Sequence, residues 1–121
     1  MKITRASPVL AVHDLERSSA WYRDVLGCTV DEVAPGDWTF CRCGEVTFML
    51  GRCPDDPEAS ELGVHSYIAY LHVDEVDAFH ARAVSAGVEM PGPPANKPWG
   101  MRELALRTPD GHSFMLGHSL G

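Results

Sequence analysis

The chain has no apolar run approaching the roughly 18 residues a membrane-spanning helix needs, so no membrane partner is expected. It has no excess of basic charge either: 10 Lys+Arg stand against 17 Asp+Glu, a formal net charge of −7. Nucleic acids and anionic surfaces are bound through a basic face, so nucleic acid is excluded as an expected partner. A neutral or cationic small ligand fits the charge. No Cys-x-x-Cys pair occurs among Cys28, Cys41, Cys43 and Cys53. Cys41 and Cys43 share one face of an apparent strand and cannot easily bond each other. A zinc site from Cys41, Cys43, Cys53 and a histidine would have a spacing unlike the common zinc motifs, so free thiols, buried or half-buried, are expected. The opening Met1-Lys2-Ile3-Thr4-Arg5 lacks the apolar stretch and cleavage site of a secretory signal, and a cytoplasmic setting is the expectation.

What remains is an ordinary globular composition, 45% hydrophobic and 22% charged over 121 residues, enough for a single domain, 1–121, with a real core. Ser7 to Asp14 reads as a strand with Pro8 near its start. Asp14 is a natural N-cap for a helix over Leu15 to Leu26, with Leu15, Tyr22, Val25 and Leu26 on one face and Gly27 as its stop. Strands follow at Cys28 to Val33, Trp38 to Cys43 and Val46 to Arg52. After a loop rich in proline and acid (Asp55, Asp56, Glu58, Glu61), the order repeats. A strand over His65 to Val73 leads to Asp74 as N-cap and a helical stripe of Val76, Phe79, Ala83 and Ala86. A short strand around Glu89 comes next, then Pro91-Gly92-Pro93-Pro94, and strands over Met101 to Arg107 and Ser113 to His118.

Val12, Leu15 and Tyr22 recur as Val73, Val76 and Ala83, which marks an internal repeat. The expected fold is α+β: two βαβββ modules, about 1–60 and 61–121, forming a curved mixed sheet around a cavity with the helices on the outer face. Strand alternation sorts the faces. Val46, Phe48, Leu50, Ala69, Leu71, Phe114 and Leu116 should lie under helices. Trp38, Phe40, Met49, Ile68, Tyr70 and Met115 should then line the open side, a soft aromatic surface suited to an irregular ligand. From pattern alone, these side chains serve equally well as a second core between two sheets.

"PVLAVHDLERSSAWYRDVLG", "VDEVDAFHARAVSAG" and "MRELALRTPDGHSFML" together make the chain similar to the vicinal oxygen chelate superfamily. That superfamily contains glyoxalase I, extradiol dioxygenases, fosfomycin-resistance enzymes and bleomycin-resistance proteins. The resemblance covers essentially the whole chain. Its enzymes hold a divalent metal with His and Glu on four strands, and the matching positions here are Ser7, Met49, Ile68 and Met115. None is a ligand for a hard or borderline metal, so neither a metal nor any other cofactor is expected.

The metal-free bleomycin-resistance branch is more similar. Its closing segment reads "PWG-REFALRDPAG", and here "PWGMRELALRTPDG" adds Met101 and puts Thr108 where Asp is usual. The resemblance implies that Trp99 and Trp38 stack on a planar ligand; the open-side residues Phe40, Met49, Ile68, Tyr70 and Met115, with Glu103, complete the expected site. It also implies a homodimer with N-terminal strands exchanged at Pro8. The function so expected is metal-independent binding and sequestration of a planar, cationic antibiotic or related small molecule, the acidic loop attracting its charge. The alternative is a metal-dependent glyoxalase-type lyase or extradiol-dioxygenase-type enzyme, with His65, His72 and Glu103 as its polar groups. A third is a structural module without a ligand. His112 and His118 are expected to be exposed turn and end residues.

Overall fold

Asp14 starts the first helix as its position suggests: its side chain accepts a hydrogen bond from the Arg17 backbone N–H at 3.0 Å. Gly27, at φ 75°, ends it in the left-handed conformation that a side chain would resist. Between them lies helix α1, Leu15–Leu26, with Ser18 and Tyr22 on its buried face. A computed structural model describes residues 1–62 and 67–121 of the chain. His65 and Ser66, expected on the fifth strand, lie outside the described residues.

The structure divides into two compact units, residues 1–62 and 63–121. In the first, strand β1 (Val9–Val12) precedes α1, and β2 (Thr29–Ala34), β3 (Trp38–Cys43) and β4 (Val46–Arg52) follow. Their order in the sheet is β1-β4-β3-β2, with β1 parallel to β4 and the other pairs antiparallel. A 3₁₀ turn, Ala59–Leu62, closes the unit. Leu10, Val12, Tyr22, Cys41, Phe48 and Leu50 are buried. Tyr22 carries the helix onto the sheet, its ring centroid 5.0 Å from that of Phe48.

The second unit repeats the plan: β5 (Tyr67–His72), helix α2 (Val76–Ser85), β6 (Ala95–Asn96), β7 (Met101–Arg107) and β8 (Ser113–Ser119). Its sheet order is β5-β8-β7-β6, and β5 runs parallel to β8. Val76 and Ala83 of α2 are buried with Leu104, Leu106, Phe114 and Leu116. The fold is thus α+β, with two four-stranded mixed sheets and two helices among the described residues.

Two details depart from the sequence pattern. The N-cap of α2 is Glu75, not Asp74: the Glu75 side chain accepts from the Asp77 backbone N–H at 3.1 Å. The strand expected around Glu89 is absent, because Gly87 turns at φ 78° and the Val88 N–H bonds back to the Ala83 carbonyl at 2.9 Å. The chain stays tied to the end of α2 and pairs with β7 only at Ala95 and Asn96.

Candidate functional site

Cross-strand partners lie on the same face of a sheet, so register assigns the faces directly. In the first unit, Trp38 is opposite Gly51, Phe40 opposite Met49, and Arg42 opposite Thr47. Thr39 and Cys41 point the other way and are buried on the α1 side. Trp38, Phe40 and Met49 therefore share the face away from the helix, as alternation predicts. Trp38 remains 39% exposed, its six-membered ring packed close against Gly51. A Cβ on Gly51 would come within 2.7 Å of that ring, so the glycine makes room for the indole. Arg5 reaches the same face, donating to Thr47 Oγ1 at 3.0 Å.

The second unit has the same device with a different strand supplying the ring. Tyr70 on β5 is paired with Met115 on β8, and Met115 in turn with Ala105 on β7. The next row is His72, Gly117 and Glu103. The Tyr70 phenol crosses over Gly117, where a Cβ would sit 1.9 Å from its oxygen, and donates to Glu103 Oε2 at 2.9 Å. The Trp99 indole N–H donates to the same oxygen at 2.6 Å. Partial burial, the hydrogen bond to Glu103 and that residue's charge, in this order, raise the Tyr70 pKa, which keeps the phenol a neutral donor. The His72 ring lies 4.9 Å from that of Tyr70. Ile68 falls within a register shift between Tyr67 and Ala69, has no cross-strand partner and is half-buried.

Trp99 owes its position to a tight turn. Gly100, at φ 81°, returns its N–H to the Lys97 carbonyl at 3.1 Å, and the Lys97 N–H bonds to Met101 at 2.8 Å. Leu120 then donates to the Gly100 carbonyl at 2.9 Å. The indole is 65% exposed, while Glu103 beneath its N–H edge is only 5% exposed. The structure thus brings Tyr70, Trp99 and Glu103 into one hydrogen-bonded group beside Met115.

Two histidines expected at the surface are placed otherwise. His112 is buried at 7% exposure, its backbone N–H bonded to Thr108 Oγ1 at 3.1 Å. Burial lowers its pKa, against the pull of nearby Asp110. His118 is half-buried and accepts the Val76 N–H at Nδ1, 3.1 Å away, capping α2 from the last strand. The role of His118 has no local signature, since Val76 lies 42 positions away, whereas Thr108 is only four positions from His112.

Among the described residues, Glu75, Asp77 and His118 form the one grouping of three side chains close enough to share a metal ion. Its donor atoms are already engaged. His118 Nδ1 holds Val76, and Arg102 binds both Asp77 oxygens at 2.8 Å, which also lowers the Asp77 pKa. Cys28 and Cys41 are buried thiols. Burial, then the neighbouring Cys43 and Cys41, push Cys28 up to about 12, and burial alone brings Cys41 to about 11. Such thiols stay protonated at neutral pH and are poor nucleophiles. A groove of about 720 Å³ runs along His13, Glu16, Glu32, Thr39 and Arg52, on the other side of the first sheet from Trp38 and Phe40.

The model of a protein family described as the Glyoxalase/Bleomycin resistance protein/Dioxygenase superfamily matches residues 4–116. No curated protein matches the sequence. A glyoxalase-related enzyme from Clostridium phytofermentans is similar in structure, with a TM-score of 0.80 at 21% identity over 98% of this chain and 97% of that one. The bleomycin resistance determinant encoded on transposon Tn5 has a TM-score of 0.75 at 22% identity, over 97% and 98% of the two chains. Lactoylglutathione lyase from Agrobacterium tumefaciens has a TM-score of 0.74 at 22% identity, over 97% and 95%. At these identities the likeness speaks for the fold, which carries both enzymes and binding proteins.

Proposed function

The chain belongs to the glyoxalase/bleomycin resistance protein/dioxygenase superfamily, and from that premise we propose that it binds and sequesters a planar, cationic small molecule, an antibiotic or related compound, without a metal. The observation that carries this reading is Trp99: an indole 65% exposed, yet fixed at its N–H edge by a hydrogen bond of 2.6 Å. An aromatic serving only the core would be covered, and one without a role would not be tethered. Trp38 offers a second exposed ring, rested on Gly51.

The metal that the superfamily's enzymes employ does not fit the residues present. Met49 lies opposite Phe40 and Met115 opposite Ala105, and with Ser7 and Ile68 they supply neither carboxylate nor imidazole. No chemical step through a metal follows from this set. An enzyme of the glyoxalase or dioxygenase type would need stoichiometric metal in purified, untagged protein, which elemental analysis detects.

Calorimetric titration with planar cationic antibiotics, bleomycin-type drugs included, tests the reading. Trp99→Ala is expected to weaken binding on the order of 10-fold, the loss of one aromatic pair. Failure of every compound in such a panel to bind the native protein would overturn the proposal.

A further inference from the structure

Glu103 is buried without a counter-charge. Its side chain is 5% exposed, and among the described residues no lysine, arginine or histidine pairs with it. Arg102, its neighbour in sequence, points to the opposite face of β7 and is committed to Asp77 and Asn96. Both donors that reach Glu103, the Trp99 indole and the Tyr70 phenol, are neutral, and both bind Oε2. Oε1 receives no hydrogen bond from any described residue. A carboxylate offers two acceptor oxygens and, when buried, ordinarily pairs with a cation. Here Oε2 holds two donors, while Oε1, which is not itself enclosed, is left open to solvent.

The surrounding residues look built for that arrangement. Tyr70 stands on β5 and Glu103 on β7, with β8 between them, and the phenol can cross only because residue 117 has no side chain. The Lys97–Gly100 turn brings the indole N–H to the same oxygen from the other direction. A core glutamate needing only neutral partners would be served as well by glutamine. We propose that Glu103 Oε1 is the docking point for a cationic nitrogen group of the ligand, an amidinium, guanidinium or ammonium attached to a flat ring. The inference deepens the ring-binding reading above and rests on it. Stacking on Trp99 would place the ring, and Glu103 would select its charge. The same carboxylate orients the indole, so ring recognition and charge recognition share one residue.

A matched pair of probes separates the two ideas: a fused-ring aryl amidine, cationic at neutral pH, and the neutral aryl amide of the same ring. Calorimetry on the native chain should show the amidine binding about 10-fold or more tightly than the amide, the order expected for one charge-assisted hydrogen bond. Glu103→Gln keeps an oxygen for Trp99 and Tyr70 but presents an NH₂ in place of Oε1. It should abolish the preference, read as the ratio of the two affinities within the same variant. Slow solvent exchange of the Trp99 indole N–H proton, retained in this variant, would show that the ring is still held. Equal binding of both probes to the native chain, or a preference surviving in Glu103→Gln, overturns the proposal and leaves the stacking reading standing. A preference that Glu103→Gln removes, with Trp99→Ala weakening neither probe, keeps the charge site and overturns the stacking. Binding of neither probe overturns both.

Discussion

Single residues show where a linear reading stops. That Trp99 is displayed could be argued from Pro98 and Gly100 on either side of it, because a turn there leaves the ring outside the strand. That Tyr70 shares the Glu103 oxygen with it could not, since Tyr70 lies 33 positions away in sequence. His112 reverses its expected place for a similar reason. Beside Pro109-Asp110-Gly111 it reads as part of an exposed turn, yet the turn folds inward and buries both Asp110 and His112. The consequence is a pH dependence of stability. Burial lowers the His112 pKa in the folded chain below the roughly 6.5 of an unfolded histidine. Above that value both states are neutral and nothing is lost. As pH falls through it, the unfolded chain takes a proton that the folded chain resists, and stability declines until the lowered folded pKa is passed. Urea midpoints measured at about pH 7.5 and about pH 5.5 should fall further in the native protein than in His112→Gln, given the model histidine value. Parallel declines would show that His112 is not the group responsible.

Elements were legible where their signals are local. Helix α1 has its bounds written in Asp14 and Gly27, and β3, β4 and β7 begin and end where alternation starts and stops. The start of α2 was misread because its N-terminus is assembled from three segments. Glu75 takes the Asp77 N–H, His118 of β8 takes the Val76 N–H, and Arg102 of β7 grips the Asp77 carboxylate. No inspection of residues 74–77 shows that β8 supplies a cap. The likeness of this cluster to a metal site dissolves for the same reason, since its donors serve the helix. His118→Ala should therefore cost about 0.5–2 kcal/mol of stability, the usual loss for a helix N-cap partner, because the Val76 N–H is left without its acceptor. Chemical denaturation measures it. A variant as stable as the native chain would mean that the cap is replaced by water.

At the scale of the whole chain, the repeat was readable in Val12, Leu15 and Tyr22 against Val73, Val76 and Ala83. The structure adds a correspondence that no hydrophobic pattern discloses. Gly51 and Gly117 each lie two residues past a methionine, Met49 and Met115, and each carries an aromatic ring across the strand. The rings come from different strands, Trp38 of β3 and Tyr70 of β5, so the two halves have kept a glycine seat and filled it differently. Around both units the charge is negative, −7 in all. Part of the expected acidic attractor is already engaged: Glu58 lies 3.4 Å from His13 and 3.5 Å from Arg17. What remains is a diffuse field, and such a field acts on the approach of a charged ligand more than on its residence. Raising ionic strength shortens its reach from about 10 Å at 0.1 M to about 3 Å at 1 M. Stopped-flow association of an aryl amidine should slow several-fold over that range, with its dissociation rate changing little, whereas the neutral amide should associate at a nearly constant rate. If salt slowed both probes equally, long-range attraction would have no part in capture. The selectivity would then rest on the short-range contact at Glu103 alone.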